Sequence, residues 1–143
     1  MISLHEAQNF VLGSVKELPA ETLGISSVSS AVIAESVFSH EFIPPFDNTA
    51  VDGYAVRARD TVGATKQNQT ELMVMGSIAA GSQPDFELER GQSAKIMTGA
   101  PLPEGADAVV MVERTTTNED GSVVFIDKAV REGDHIRKAG EDL

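Results

Sequence analysis

The sequence predicts a mainly β protein opened by one amino-terminal helix, an α+β chain arranged in two lobes. Two observations carry that expectation. Helical periodicity is confined to the first 18 residues. From Gly24 onward, short runs of β-branched and large apolar residues alternate with Gly, Pro, Asn and Asp.

The helix is the most sharply marked element. Ser3 and Glu6 have capping-box spacing, in which each side chain satisfies a free amide of the first turn. Leu4, Ala7, Val11, Val15 and Leu18 recur at three- and four-residue intervals and form an apolar stripe. Gly13 weakens the helix, and Pro19 ends it or closely follows its end. Strands are expected near Gly24–Val28, Tyr54–Arg57, Glu71–Ile78, Ser93–Met97, Ala108–Val112 and Ser122–Ile126. Ser30–Glu35 suits a short helix or a strand equally. Asn118-Glu119-Asp120-Gly121 is a turn signal, so Ala108–Ile126 reads as a hairpin in a mostly antiparallel unit. Thr61–Thr70 is polar and reads as an exposed loop. Lobe boundaries are expected near His40–Pro45 and Arg131–Asp134, with residues 1–43 plus 134–143 forming one discontinuous lobe around a β lobe of residues 44–133.

The bulk properties exclude several classes of function. With 143 residues and 41% apolar content, the chain has enough material for a real core. A net charge of −11 argues against nucleic acid and anionic membranes as partners. No apolar run is long enough to span a bilayer, and the amino terminus lacks the pattern of a signal peptide, so a cytoplasmic protein is expected. The absence of cysteine removes disulfides, zinc–thiolate sites and thiol nucleophiles together.

Three segments hold chemistry that packing does not require. In Pro44-Pro45-Phe46-Asp47-Asn48-Thr49-Ala50-Val51-Asp52-Gly53-Tyr54-Ala55-Val56-Arg57, two prolines stiffen a loop bearing two carboxylates, the Asn48 amide and a hydroxyl. Such a loop suits a metal or polyol-phosphate, although Thr49 and Asp52 also have capping-box spacing and could simply close one helical turn. In the stretch from Ile96 to Val110, a strand runs into Thr98-Gly99 before prolines hold the chain extended. Gly99 leaves the backbone open to a ligand and Thr98 offers a hydroxyl; a stiffened strand connection is the plain alternative. No P-loop ending follows. The segment Gly133-Asp134-His135-Ile136-Arg137-Lys138-Ala139-Gly140-Glu141-Asp142-Leu143 pairs an oxyanion-binding Arg137 with the cation-binding carboxylates Glu141 and Asp142. A charged, solvated tail would read the same way. His5, His40 and His135 lack metal-ligand spacing.

Together these segments resemble the signatures of the MoeA/gephyrin E-domain family of molybdopterin molybdotransferases. Residues 44–57 follow the first signature, with Thr49 where Ser is common and Val51 where Met is common. Residues 95–110, with Glu113 after them, follow the second, and Gly133-x-x-Ile136-Arg137-x-x-Gly140-Glu141-Asp142 follows the third. The resemblance implies an elongated amino-terminal fold of bifurcated antiparallel sheets. It implies an enzyme of molybdenum cofactor biosynthesis, which inserts molybdenum from molybdate into adenylylated molybdopterin with a divalent cation, usually Mg²⁺. It also implies a homodimer with the active site between subunits. Catalytic positions carry over to Asp52, Thr98 and Asp142, and substrate binding to Gly99, Arg137 and Asn48. Asp52 and Asp142 are the expected metal-binding residues, and Thr98 with the amides around Gly99 would donate to phosphate or pterin. Family members continue past the third signature into an α/β pterin-binding domain and a small β domain, so residues 1–143 are expected to be inactive alone. The competing expectation is a non-catalytic dimerisation or scaffold module.

Overall fold

The computed structural model of the chain describes residues 2–143. Contacts divide it into two units, Met1–Phe38 and Ser39–Leu143.

The first unit contains α1 (Leu4–Ser14). Its capping box forms as expected. The Ser3 amide donates to Glu6 Oε2 at 2.7 Å, and the Glu6 amide donates to Ser3 Oγ at 3.2 Å. The helix stops at Ser14, so Val15 and Leu18 lie beyond it. Gly13 lowers its helical preference, and Ser14 Oγ turns back to the Phe10 carbonyl at 2.7 Å. Gly24–Val28 is not a strand: Ile25–Ser27 form a 3-10 turn closed by Ser27 N–H to the Gly24 carbonyl at 2.8 Å. A β-branched run without a ladder partner has nothing to hold it extended. Ser30–Glu35 is neither helix nor strand.

Among the described residues, the strands in chain order are β1 (Asn48–Thr49), β2 (Gly53–Val56), β3 (Thr70–Ile78), β4 (Gln92–Ile96), β5 (Ala108–Met111), β6 (Thr115–Thr117), β7 (Val123–Ile126) and β8 (Ile136–Arg137). The larger sheet has the order β5-β2-β4-β3-β7-β6, and β1 pairs with β8 in a small separate sheet. All pairs are antiparallel except β3 with β4. The expected hairpin spanning Ala108–Ile126 does not form. The 3-10 turn Val112–Arg114 diverts the chain, so β5 pairs with β2 while the Asn118–Gly121 turn joins β6 to β7.

Buried core residues lie on both faces of the large sheet. Tyr54, Val56, Leu72, Val110, Val124 and Ile126 form one core, whereas Ala55, Ile78, Leu88, Ala94, Ile96 and Val109 form the other. This is why β2, at the junction of both, shows no polar alternation. A bulge in β3 allows one strand to serve both cores. Val74 pairs with Ser93 and Ser77 with Lys95, so β3 spends one residue more than β4 over this interval. The extra residue reverses the alternation, turning Ile78 to the face opposite Leu72 and Val74.

The division of the chain differs from the expected pairing of residues 1–43 with 134–143. Residues 134–143 belong to the second unit because β8 pairs with β1 and Leu143 exchanges backbone hydrogen bonds with Ile43. Lobes inferred from composition follow chemistry along the chain, whereas this division follows hydrogen bonding across it.

Candidate functional site

β1 is too short to be visible as a strand in sequence, yet it is where all three signature segments meet. On one side its Thr49 amide donates to the Ala100 carbonyl at 3.1 Å, and Gly99 N–H donates to the Thr49 carbonyl at 2.9 Å. On the other side Asn48 pairs with Arg137 and Thr49 with Ile136. The Ala50 amide extends this edge by donating to the His135 carbonyl at 2.9 Å. The second and third segments therefore flank the first as neighbouring ribbons. Thr49 does not cap a helical turn with Asp52; its hydroxyl bonds within the loop, to the Val51 carbonyl at 2.7 Å.

Freed from that turn, Asp52 reaches the second segment. Its Oδ1 accepts from both the Thr98 amide and the Thr98 hydroxyl, each at 2.8 Å. These two bonds, the backbone one foremost, hold the exposed Asp52 carboxyl below the usual aspartate range. Among the described residues, Asp52 Oδ2 makes no hydrogen bond, so an ionised oxygen remains open to a ligand. Gly53, immediately after it, has to be glycine: a Cβ there would stand 1.9 Å from the Val110 carbonyl oxygen. That close approach of β2 and β5 fixes the base of the Asp52 loop.

Thr98 and Gly99 are exposed, but not as free donors. The Thr98 hydroxyl and amide both serve Asp52, and the Gly99 amide serves Thr49. Donation to phosphate from these groups would require breaking existing bonds, since a hydroxyl carries one proton. Gly99 has φ +80, and a Cβ on it would meet nothing within 4 Å. Glycine is required there by backbone conformation, and the space above it is open.

Arg137 and Asp142 form an ion pair through Arg137 Nη2 and Asp142 Oδ2, both side chains partly exposed. They close the neck of a turn whose interior is held by Lys138 N–H to Glu141 Oε2 at 2.8 Å and Glu141 N–H to the Lys138 carbonyl at 3.1 Å. Asn48 is buried in β1, only 4% exposed, with Nδ2 donating to the Phe46 carbonyl at 3.3 Å. Asp52 and Asp142 share no hydrogen-bond partner in the described residues. No group of three or more His, Asp or Glu side chains capable of holding a metal ion occurs among the described residues.

Two residues outside the expected set also belong here. Asp47 Oδ2 accepts from Lys138 Nζ at 2.7 Å, and Asp47 Oδ1 accepts from the Ala139 amide at 2.9 Å. Both partners hold the Asp47 carboxyl below its ordinary value, Lys138 foremost. The carboxylate of Asp47 was legible in the first signature, but its partners lie more than ninety residues away in sequence, at a separation of 91 and 92.

The fold and site together define a class: a two-faced β domain whose acidic and basic loops converge on one short strand, presenting an open Asp52 carboxylate oxygen and no thiol nucleophile. This chain belongs to the MoeA N-terminal region (domain I and II) family, whose model matches residues 2–143. It is 40% identical, over its whole length, to molybdopterin molybdenumtransferase 2 of Mycobacterium tuberculosis, of which it covers 35%. It is 37% identical to the molybdopterin molybdenumtransferase of Bacillus subtilis, with 99% of this chain and 33% of that one aligned. The crystal structure of the molybdopterin biosynthesis moeA protein from Pyrococcus horikoshii OT3 superposes with a TM-score of 0.78 at 35% identity, covering 97% of this chain and 36% of that one. The chain thus spans about a third of the length of the curated relatives it matches.

Proposed function

We propose that this chain supplies one wall of the composite active site of a molybdopterin molybdotransferase, which inserts molybdenum from molybdate into adenylylated molybdopterin in molybdenum cofactor biosynthesis. The observation that carries the reading is the convergence of the three signature segments on β1, with an open carboxylate oxygen on Asp52 and an Arg137–Asp142 pair. The complete reaction then draws on protein beyond this third of the relatives' length, in a cytoplasmic homodimer, and residues 1–143 alone do not complete it.

Within that wall the side chains take separate tasks. Thr98 orients Asp52 and keeps it ionised, so that Oδ2 accepts from a substrate hydroxyl or from water on a cation. Arg137, a planar fork of donors, binds an oxyanion, with Asp142 holding the fork in place until the anion arrives. Gly99 leaves room for a ligand to approach, and the buried Asn48 supports this surface from within β1.

A divalent cation such as Mg²⁺ would be bound here by one or two carboxylates, waters and substrate phosphates, since no cluster of three or more His, Asp or Glu occurs among the described residues. Asp52 and Asp142 are the residues that would hold it. When bound, the cation offsets repulsion between these carboxylates and the anionic substrates.

The test is Asp52→Asn in the full-length protein, with molybdoenzyme activity in cells as the readout. Asn keeps the acceptor for Thr98 and removes the charge, so activity should fall about a hundredfold or more. A dimerisation or scaffold module would support activity unchanged, and that result would overturn the proposal.

A further inference from the structure

We infer that Asp47 is a positioning residue, whose carboxylate seats the 137–142 turn against β1 and so sets where Arg137 and Asp142 stand. The inference rests on the proposed substrate-facing role of that pair.

The pairing of β1 with β8 ends at Asn48 and Arg137. Backbone contact resumes only where Gly140 N–H meets the Pro44 carbonyl and Asp142 N–H meets the Ile43 carbonyl, both at 2.9 Å. Asp47 fills the interval between them. One carboxylate oxygen takes the Ala139 amide and the other takes the Lys138 ammonium. Two donors approaching one planar group from different directions fix the turn in orientation as well as distance. The internal bonds of the turn, Lys138 with Glu141 and Arg137 with Asp142, preserve its shape without placing it on the ribbon.

Electrostatics adds a second reason. Without Asp47, the Lys138 ammonium would stand free on a turn that also carries Glu141 and Asp142. Either carboxylate would then attract it, and an approach to Asp142 would draw that residue away from Arg137. Asp47 therefore occupies the cation that would otherwise compete for the pair. The main chain of the same residue also reaches the second segment, since Leu102 N–H points to the Asp47 carbonyl at 3.4 Å.

Three variants in the full-length protein separate these contributions. Asp47→Ala removes both bonds, Asp47→Asn keeps an acceptor for Ala139 and gives up the ion pair, and Lys138→Met removes the ion pair alone. For Asp47→Ala, KM for the adenylylated pterin should rise about tenfold with kcat changed less than about twofold, and the Ala139 amide should exchange much faster. Asp47→Asn should restore Ala139 protection and part of the KM, and Lys138→Met should come closer to wild type, since it leaves no free ammonium to draw Asp142 from Arg137. Wild-type KM in Asp47→Ala, or identical loss in Asp47→Ala and Asp47→Asn, would overturn the inference. If Asp47→Ala does not fold, the comparison of Asp47→Asn with Lys138→Met decides it: a higher KM in Asp47→Asn supports the inference, and wild-type KM in both would overturn it. Asp142→Asn is the separate control. Unchanged turnover there would sink the functional reading of the turn, while the Ala139 exchange rate would still report whether Asp47 seats it.

Discussion

Asp52 and Thr98 show how a single pair turns an exposed carboxylate into a prepared one. The two bonds from Thr98 stabilise the charged form, so the folded pKa lies below the ordinary value of 3.8. Their stabilisation is present above that value and is lost as pH falls through the lower, folded one. A carbon-detected titration of Asp52 should therefore show a midpoint below 3.8. Thr98→Val should move it only part of the way back, since the backbone bond, the larger cause, survives. Gly53 sets a different kind of limit. A Cβ placed 1.9 Å from the Val110 carbonyl oxygen forces β2 and β5 apart. Gly53→Ala should lower stability by about 3 kcal/mol, read as a shifted denaturation midpoint, in line with the cost of overpacking a tight interior. At Gly99, where the Cβ would meet open space, only the left-handed backbone is at stake. Gly99→Ala should cost about 1–2 kcal/mol and leave the sheet intact.

At the scale of elements, β3 decides how the two cores share one sheet. Its bulge between Val74 and Ser77 turns Ile78 into the second core, where it is 2% exposed. Ile78→Ala should cost about 2–5 kcal/mol. Deleting Gly76 would remove the bulge yet leave Ile78 five positions after Leu72, still on the opposite face by strict alternation, so it should destabilise less than Ile78→Ala. Circular dichroism and a thermal melt of both variants would check this contrast. β1 and β8 work differently, because two residues each provide almost no burial of their own. What holds them is the exchange of backbone bonds among three segments, which also brings the candidate site together.

For the molecule as a whole, the core residues that define the sheet lie within Ser39–Leu143, and among the described residues of the first unit, 2–38, no side chain is buried. Residues 39–143 produced alone should therefore keep the protected amides of β2 and β4. Hydrogen exchange followed by mass spectrometry would check it, and rapid exchange throughout β2 would count against an autonomous second unit. The same unit contains Asp52, Thr98, Gly99, Arg137 and Asp142 together. Truncation of the first unit is thus expected to leave this wall in place.

The local code determined a good deal. The capping box of Ser3 and Glu6 specified where α1 begins, because both partners lie within one helical turn. Alternation and turn residues located β2, β3, β4, β5 and β7, and the three signatures marked Asp52, Thr98, Arg137 and Asp142 as chemically unusual. Their partners were another matter. That Asp52 bonds Thr98 and leaves Thr49, that β5 pairs with β2 and leaves β7, and that Asp47 holds Lys138 were decided only in three dimensions. Each is a choice among groups of similar chemistry far apart in the chain, and it is made by which backbones the two-faced core brings within hydrogen-bond reach.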